Sequence, residues 1–298
     1  MTSGIQQGRS RAHTRLRLAT LALLPLLGGC AAGTRLELDS MYSEALGRRM
    51  PFSLYLPPGY DPSRTYPVVY FLHGMGDDHR ALERFGGVAV LDELITAGEL
   101  PAFILVAPRG ERGFYINYHD RTFLYEDYII DEVIPTVERR LKRGRIDRSQ
   151  RFVLGISMGG YGAVNLATRH PGLFAAVAAL SAPMFSEDEI SSFMDVWWKR
   201  LLGIHRLFSD GSDRSFLRRN SPRARVETAT GALRGLRVFL LNTEQDLDNV
   251  AQNNRRFAAL LEQSGIPVRH VEVAGRHKWT AWNPHLGAAL RYLLVGDE

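Results

Sequence analysis

The residue best placed to do chemistry is a serine between two glycines, Ser157 in Gly155-Ile156-Ser157-Met158-Gly159. A G-x-S-x-G pattern is weak by itself, because glycine and serine are common. Here an apolar segment at 151–155 precedes it and a helical pattern at 158–169 follows, which is the context of a nucleophile elbow. Backbone N–H groups at the helix start would favour negative charge near the hydroxyl. The alternative is a small-residue helix start packed on a sheet, but the context favours a nucleophile.

A serine nucleophile needs a base within hydrogen-bond reach, and an elbow of this kind has the chain order serine, acid, histidine. His277 lies in a loop between the last predicted strand, 268–273, and the last predicted helix, 284–294. That loop is where the base belongs. The other histidines that follow the serine lie in an insertion, inside a strand, or at a helix start; they are His205, His270 and His285. The sequence therefore predicts His277 as the base.

The acid is expected just after the predicted strand 236–241, where Glu244, Asp246 and Asp248 stand. A short carboxylate there would orient the imidazole and stabilise the imidazolium. Asp246 is the preferred acid. Asp248 stays open as the alternative, although it could instead cap the helix that follows.

An oxyanion in the reaction needs two backbone N–H donors. One is expected from Met158, the residue after the nucleophile. The other is expected from Met75, in the His73-Gly74-Met75-Gly76 turn that follows the predicted strand 67–73. His73 is predicted to be a structural loop residue. Chemistry of this type requires no metal and no cofactor.

The scaffold that positions these residues alternates strands and helices. Such a sequence predicts an α/β fold with a mainly parallel sheet covered by helices on both faces, in one domain at 41–298. The predicted strands are 51–56, 67–73, 102–107, 151–155, 174–180, 236–241 and 268–273. The predicted helices are 81–97, 124–141 (kinked at Pro135), 158–169, 249–264 and 284–294.

Residues 184–231 break this alternation and are predicted to form an insertion over the active site. Trp197 and Trp198, together with Tyr115 from the main body, could line an acyl or alcohol pocket; packing is an equally good role for them. The insertion is also rich in arginine. An apolar acyl chain gains about 0.8 kcal/mol per methylene only where its pocket is apolar. Short or aromatic acyl groups are therefore expected.

The first thirty residues are typical of an export signal. Four arginines precede an apolar run at 18–27, which is too short to span a bilayer. Leu27-Gly28-Gly29-Cys30 resembles the lipobox of bacterial lipoproteins. We expect a signal peptide at 1–29, a lipid anchor on Cys30 and a tether at 30–40, with the protein held at the bacterial cell envelope. The alternative is an ordinary cleaved signal with a chance cysteine.

The net charge of +5 does not indicate a nucleic-acid partner. Of 37 basic residues, four arginines fall within 1–29, which contains no acid; the other 33 nearly balance the 32 acidic residues. The positive balance thus belongs to the N-terminus and not to a binding face. Cys30 is the single cysteine, so no intramolecular disulfide can form.

Taken together, the motifs resemble the esterase D, feruloyl esterase, tributyrin esterase and mycolyltransferase-like branch of the α/β-hydrolases. The matching segments are SEALG (43–47), YLPPGY (55–60), YPVVYFLHGMGDD (66–78), GFYINY (113–118), YEDYIIDEVIP (125–135), GISMGGYGAVNLATRHPGLF (155–174) and GRHKW (275–279). The resemblance implies Ser157, Asp246 and His277 as the triad, with Met75 and Met158 as oxyanion donors.

The resemblance also implies a serine carboxylic-ester hydrolase that works through an acyl-enzyme on a small-molecule or saccharide ester. The first alternative is an acyltransferase of the mycolyltransferase type, which passes the acyl group to a sugar hydroxyl. The second is a non-catalytic surface binding protein on a hydrolase scaffold.

Overall fold

The computed structural model describes Met1 and residues 35–141, 147–194, 205–208, 212–247 and 249–296. Four residues singled out by the sequence lie outside these ranges: Cys30, Trp197, Trp198 and Asp248. The predicted signal peptide also lies outside them, apart from Met1. Among the described helices, none is long and apolar enough to cross a membrane.

An eight-stranded sheet forms the centre of the protein, in the order β1-β2-β4-β3-β5-β6-β7-β8. The pairs β1–β2 and β2–β4 are antiparallel and all the other neighbouring pairs are parallel. The strands are β1 Arg35–Ser43, β2 Arg48–Leu56, β3 Val68–Leu72, β4 Ile104–Pro108, β5 Arg151–Ile156, β6 Ala176–Leu180, β7 Arg237–Gln245 and β8 Val268–Arg276. This agrees with the predicted mainly parallel sheet.

Helices cover both faces of the sheet. They are α1 Ala81–Arg84, α2 Gly87–Thr96, α3 Tyr125–Asp127, α4 Ile134–Arg140, α5 Met158–Arg169, α6 Glu187–Met194, α7 His205–Phe208, α8 Arg214–Arg219, α9 Pro222–Ala229, α10 Val250–Gln263, α11 Trp279–Trp282 and α12 Leu286–Leu294. A π-helical segment, Tyr128–Val133, joins α3 to α4. The apolar side chains of α5 and α10 pack on one face, and those of α2 and α12 on the other.

The inner strands β3, β4, β5 and β6 are buried along their whole length. In β3, Val68 and Tyr70 point into the core on one face while Val69 and Phe71 point into the core on the other. A strand buried on both faces reads as a continuous apolar run rather than an alternation. That is why these strands were recognisable in the sequence.

The N-terminal edge differs from the prediction. Residues 35–43 form β1, so the predicted tether of 30–40 overlaps a strand from Arg35 onward. The segment RLELDSMYS lacks the pattern of a buried strand because all of its residues except Ser43 are half-buried or exposed at the edge of the sheet. Its pairing with β2, from Arg35 opposite Leu56 to Ser43 opposite Arg48, holds it in place.

Two predicted helices are interrupted. The helix expected at 81–97 is divided into α1 and α2 at Phe85-Gly86, where Gly86 has φ +81°. The helix expected at 124–141 contains the π-helical segment immediately before Pro135, which stands in the first turn of α4. A π turn replaces the regular α-helical hydrogen bonds of the backbone, so proline's missing N–H is tolerated there.

The described parts of the insertion are attached to the main body by several contacts. Tyr161 in α5 donates from its hydroxyl to Asn220 O at 2.5 Å, and the N–H of His119 donates to Leu207 O at 3.2 Å. Leu207 and Phe208 of α7 are buried in the core. These contacts show that α7, α8 and α9 pack against the rest of the chain.

Candidate active site

Ser157 stands on a tight turn between β5 and α5, with φ 54° and ψ −120°. This backbone conformation is strained for a residue with a side chain. The flanking glycines are needed for it: a Cβ at Gly155 would lie 2.0 Å from Gly159 O, and a Cβ at Gly159 would lie 1.9 Å from Leu72 O. The Ser157 N–H donates to Leu180 O at 2.8 Å, which fixes the turn against β6.

A continuous hydrogen-bonded chain joins Ser157, His277 and Asp246. His277 Nε2 lies 2.8 Å from Ser157 Oγ, and His277 Nδ1 lies 2.5 Å from Asp246 Oδ1. The serine follows β5, while the acid and the histidine lie at the C-terminal ends of β7 and β8. Because these ends meet at one edge of a parallel sheet, three residues distant in sequence come together.

Asp246 is held as a carboxylate. Its side chain is fully buried, and it accepts hydrogen bonds from Thr243 N at 3.1 Å and Leu247 N at 2.9 Å. Burial alone would raise its pKa, but hydrogen bonds from His277, Ser181 and Thr243 outweigh burial and lower it. An ionised carboxylate in this position can orient the imidazole and stabilise its protonated form.

Two residues that sequence reasoning missed support this acid. Ser181, which follows β6 and has φ 49°, hydrogen-bonds Asp246 with its hydroxyl. Trp282 Nε1 donates to Ser181 Oγ at 2.9 Å, and the Trp282 ring meets the His277 ring edge-on at 4.9 Å. The sequence offers one signal for Ser181, which is its position directly after β6, the strand between β5 and β7 in the sheet.

The backbone N–H groups of Met75 and Met158 form no hydrogen bond with any residue that the structure describes. The loop of Met75 passes beside the nucleophile, since a Cβ on Gly74 would lie 3.5 Å from Ser157 Cβ. Met75 and Ser157 line the same pocket. Both predicted oxyanion donors are thus near Ser157 and available to a ligand.

His73 supports this loop, as the sequence predicted. Its Nε2 accepts from Gly110 N at 2.8 Å, so Nδ1 carries the proton and donates to Gly74 O, also at 2.8 Å. Burial lowers the pKa of His73, against the hydrogen bond to Gly74. A neutral imidazole therefore holds the loop, and His73 is not a second base.

Tyr115 does not occupy the position that the sequence suggested. Its side chain is fully buried, and its hydroxyl donates to His73 O at 3.2 Å. The ring lies against Gly110 and Gly162, where a Cβ would come within 2.2 and 2.6 Å of it. Tyr115 therefore packs behind the oxyanion loop instead of lining the substrate pocket, which corrects the expectation.

A pocket of about 420 Å³ opens at Ser157. Phe85, Trp279 and Trp282 form its aromatic wall, and Lys278 adds a positive charge. Phe85 and Trp279 are stacked, with centroids 4.8 Å apart and planes at 17°. Sequence reasoning missed this wall, although Trp279 lies only two residues after the base. No group of three or more potential metal ligands occurs among the described residues.

Residues 43–293 match the protein-family model described as Putative esterase. An esterase of Mycobacterium tuberculosis is 28% identical over 257 residues, which cover 79% of this chain and 54% of the relative. The chain therefore spans about half the length of that relative. An acetyl esterase of Caldicellulosiruptor saccharolyticus is 22% identical over 240 residues, covering 78% of this chain and 84% of that protein.

Among solved structures, a ferulic acid esterase superposes with a TM-score of 0.73 and 26% identity. The match covers 88% of this chain and 98% of that one. The α/β-hydrolase fold predicted from the sequence is thereby confirmed, and the prediction of an esterase is confirmed at the level of the family.

Proposed function

The chain belongs to the Putative esterase family, and on that premise we propose that it is a serine carboxylic-ester hydrolase that works through an acyl-enzyme. The observation that carries the proposal is the hydrogen-bonded chain from Ser157 Oγ through His277 to Asp246. A serine so connected to a base and an acid is an activated nucleophile.

In the proposed reaction, Ser157 Oγ attacks the ester carbonyl while His277 Nε2 takes its proton. The Met75 and Met158 N–H groups donate to the oxyanion of the tetrahedral intermediate. That intermediate collapses to the acyl-enzyme as His277 returns the proton to the departing alcohol. Water, deprotonated by His277, then attacks the acyl-enzyme, and the acid is released from regenerated Ser157.

The substrate class proposed is esters of short or aromatic acids. Phe85, Trp279 and Trp282 offer aromatic surface, whereas Lys278 in the same wall is a poor neighbour for a long alkyl tail. The ferulic acid esterase and the acetyl esterase found among the relatives support the same two acyl types.

The test is a series of acyl groups on one leaving alcohol, comparing acetyl, butyryl, feruloyl and palmitoyl esters. We expect kcat/KM to be highest for a short or feruloyl ester and to fall for palmitoyl. A steady rise to palmitoyl would contradict the proposed acyl specificity. Analysing products with a sugar alcohol present distinguishes hydrolysis from acyl transfer, because a transferase would yield the sugar ester.

A further inference from the structure

A second recess, of about 340 Å³, lies beside the oxyanion loop. Asp77 belongs to its wall and also to the wall of the pocket at Ser157. Asp77 ends the turn that begins at Gly74, since its N–H donates to Gly74 O at 3.2 Å. The two compartments therefore meet at Asp77, next to the predicted oxyanion donor.

Arginines dominate the wall of this recess. Arg48, Arg109 and Arg112 face only two acids, Glu111 and Asp77. Asp77 already accepts from Trp279 Nε1 at 3.1 Å and lies 3.7 Å from Arg84. The wall thus carries one net positive charge.

The arginines differ in how far they are already paired. Arg48 donates to Glu111 at 2.6 Å and to the Tyr125 hydroxyl at 2.9 Å. Arg109 reaches Glu111 only at 3.8 Å, and its side chain is 43% exposed. Arg112 is exposed, and it forms no ion pair or hydrogen bond with any residue that the structure describes. Two guanidinium groups are therefore available to a ligand.

Aromatic rings complete the recess. Tyr118 lies edge-on to Phe123 with centroids 5.5 Å apart, and Tyr125 is 5.7 Å from Tyr118. Arg48 lies over the Phe123 ring at 5.0 Å. Tyr118 and Phe123 give a ligand an apolar surface beside the charged groups, whereas the Tyr125 ring is buried.

We propose that this recess binds a carboxylate carried by the ester substrate, through Arg109 and Arg112, while the ring or chain that bears it packs on the aromatic wall. The planar guanidinium matches a carboxylate in geometry. A single net positive charge suits one carboxylate better than a doubly charged phosphate. The inference rests on the proposed esterase function, because it assigns a specificity site to that reaction.

Two matched substrate pairs test the proposal and show which half of the ester carries the carboxylate. Acetylated glucuronate and acetylated glucose differ by a carboxylate in the alcohol half. The 4-nitrophenyl monoester of succinate and the 4-nitrophenyl ester of butyrate differ by a carboxylate in the acyl half. We expect the wild type to have the higher kcat/KM for the charged member of one pair.

For that pair, we compare kcat/KM for the charged substrate with kcat/KM for the neutral one. Arg109→Gln and Arg112→Gln should each lower this ratio about tenfold, since a hydrogen bond to a charged group is lost. Arg64→Gln removes the same charge from an exposed site outside the recess and should leave the ratio unchanged. The proposal is overturned if neither recess variant lowers the ratio, or if the wild type prefers the neutral member of both pairs.

An NMR titration of the wild-type protein with free glucuronate and glucose separates failure of this inference from failure of the esterase proposal. Neither sugar is an ester, so binding requires no turnover. Tighter binding of glucuronate, lost in Arg112→Gln, supports the recess even if no ester is hydrolysed. Equal binding of both sugars, together with a succinate ester hydrolysed no faster than the butyrate ester, rejects the recess and leaves the esterase proposal standing.

Discussion

At the scale of single residues, the site is a chain of contacts that extends beyond the three residues of the triad. Ser181 and Trp282 link the buried Asp246 to the aromatic wall of the pocket. Trp282 also packs edge-on against His277. Trp282 therefore contacts the base directly and is linked to the acid through Ser181.

Asp246→Asn should be far more damaging than Asp248→Asn. An amide in place of the Asp246 carboxylate would favour the wrong tautomer of His277, and the same change in a related triad costs about 10⁴ in kcat. Rates of 4-nitrophenyl acetate hydrolysis for the two variants provide the comparison. A larger loss in Asp248→Asn would move the acid to that residue.

Ser181→Ala should lower kcat and raise the pKa of Asp246. Hydrogen bonds keep the Asp246 pKa below its usual value, so the carboxylate is lost only when the pH falls through that lowered pKa. Removing the Ser181 hydroxyl removes one of these hydrogen bonds and raises the pKa of Asp246, which an NMR pH titration of the Asp246 carboxyl measures. An expected loss of about tenfold at neutral pH follows from one hydrogen bond to a charged group.

Trp282→Phe is the matched variant, since it keeps an aromatic ring near His277 but removes the indole N–H. It should produce a smaller shift in the same direction. If kcat falls in Ser181→Ala while the pKa of Asp246 stays unchanged, Ser181 has a packing role only.

At the scale of elements, the strand–turn–helix from β5 to α5 was predicted almost to the residue. Gly155 and Gly159 restrict that turn so tightly that local sequence determines it. The interruption at Gly86 and the π-helical segment before Pro135 were harder to foresee, because they depend on how each helix packs against the sheet.

Gly159→Ala tests that close packing. Its Cβ would press into the backbone of β3, and such overpacking costs about 1–3 kcal/mol of unfolding free energy. We expect a lower Tm and loss of esterase activity, both measured on the purified variant. Gly172→Ala is the control, because a Cβ there has nothing within 4 Å. Equal Tm values for the two variants would show that the turn tolerates a side chain.

For the whole molecule, the sequence predicts seven of the eight strands, all but β1, and the order in which the sheet presents serine, acid and histidine. It could not predict the walls of the two compartments. Phe85 and Trp279 lie far apart in sequence and stack only after folding. Aromatic type alone does not distinguish a pocket wall from a core, so the sequence leaves both roles open for Tyr115, which the structure buries.

The proposed attachment to the cell envelope depends on one residue, Cys30. Cys30→Ser should release the protein into the soluble fraction or leave the unprocessed precursor, because an acyl anchor needs the cysteine thiol. Membrane fractionation and mass spectrometry of the mature N-terminus would measure this. An unmodified Cys30 in the wild-type protein would reject the lipid anchor.

The proposed function requires that Ser157 is a nucleophile activated by His277. The most direct measurement is mass spectrometry of the protein after reaction with a fluorophosphonate, which forms a covalent bond with activated serines. We expect one adduct, on the peptide that contains Ser157, absent in Ser157→Ala and greatly slowed in His277→Ala. An adduct on another residue, or undiminished labelling of Ser157→Ala, would contradict it.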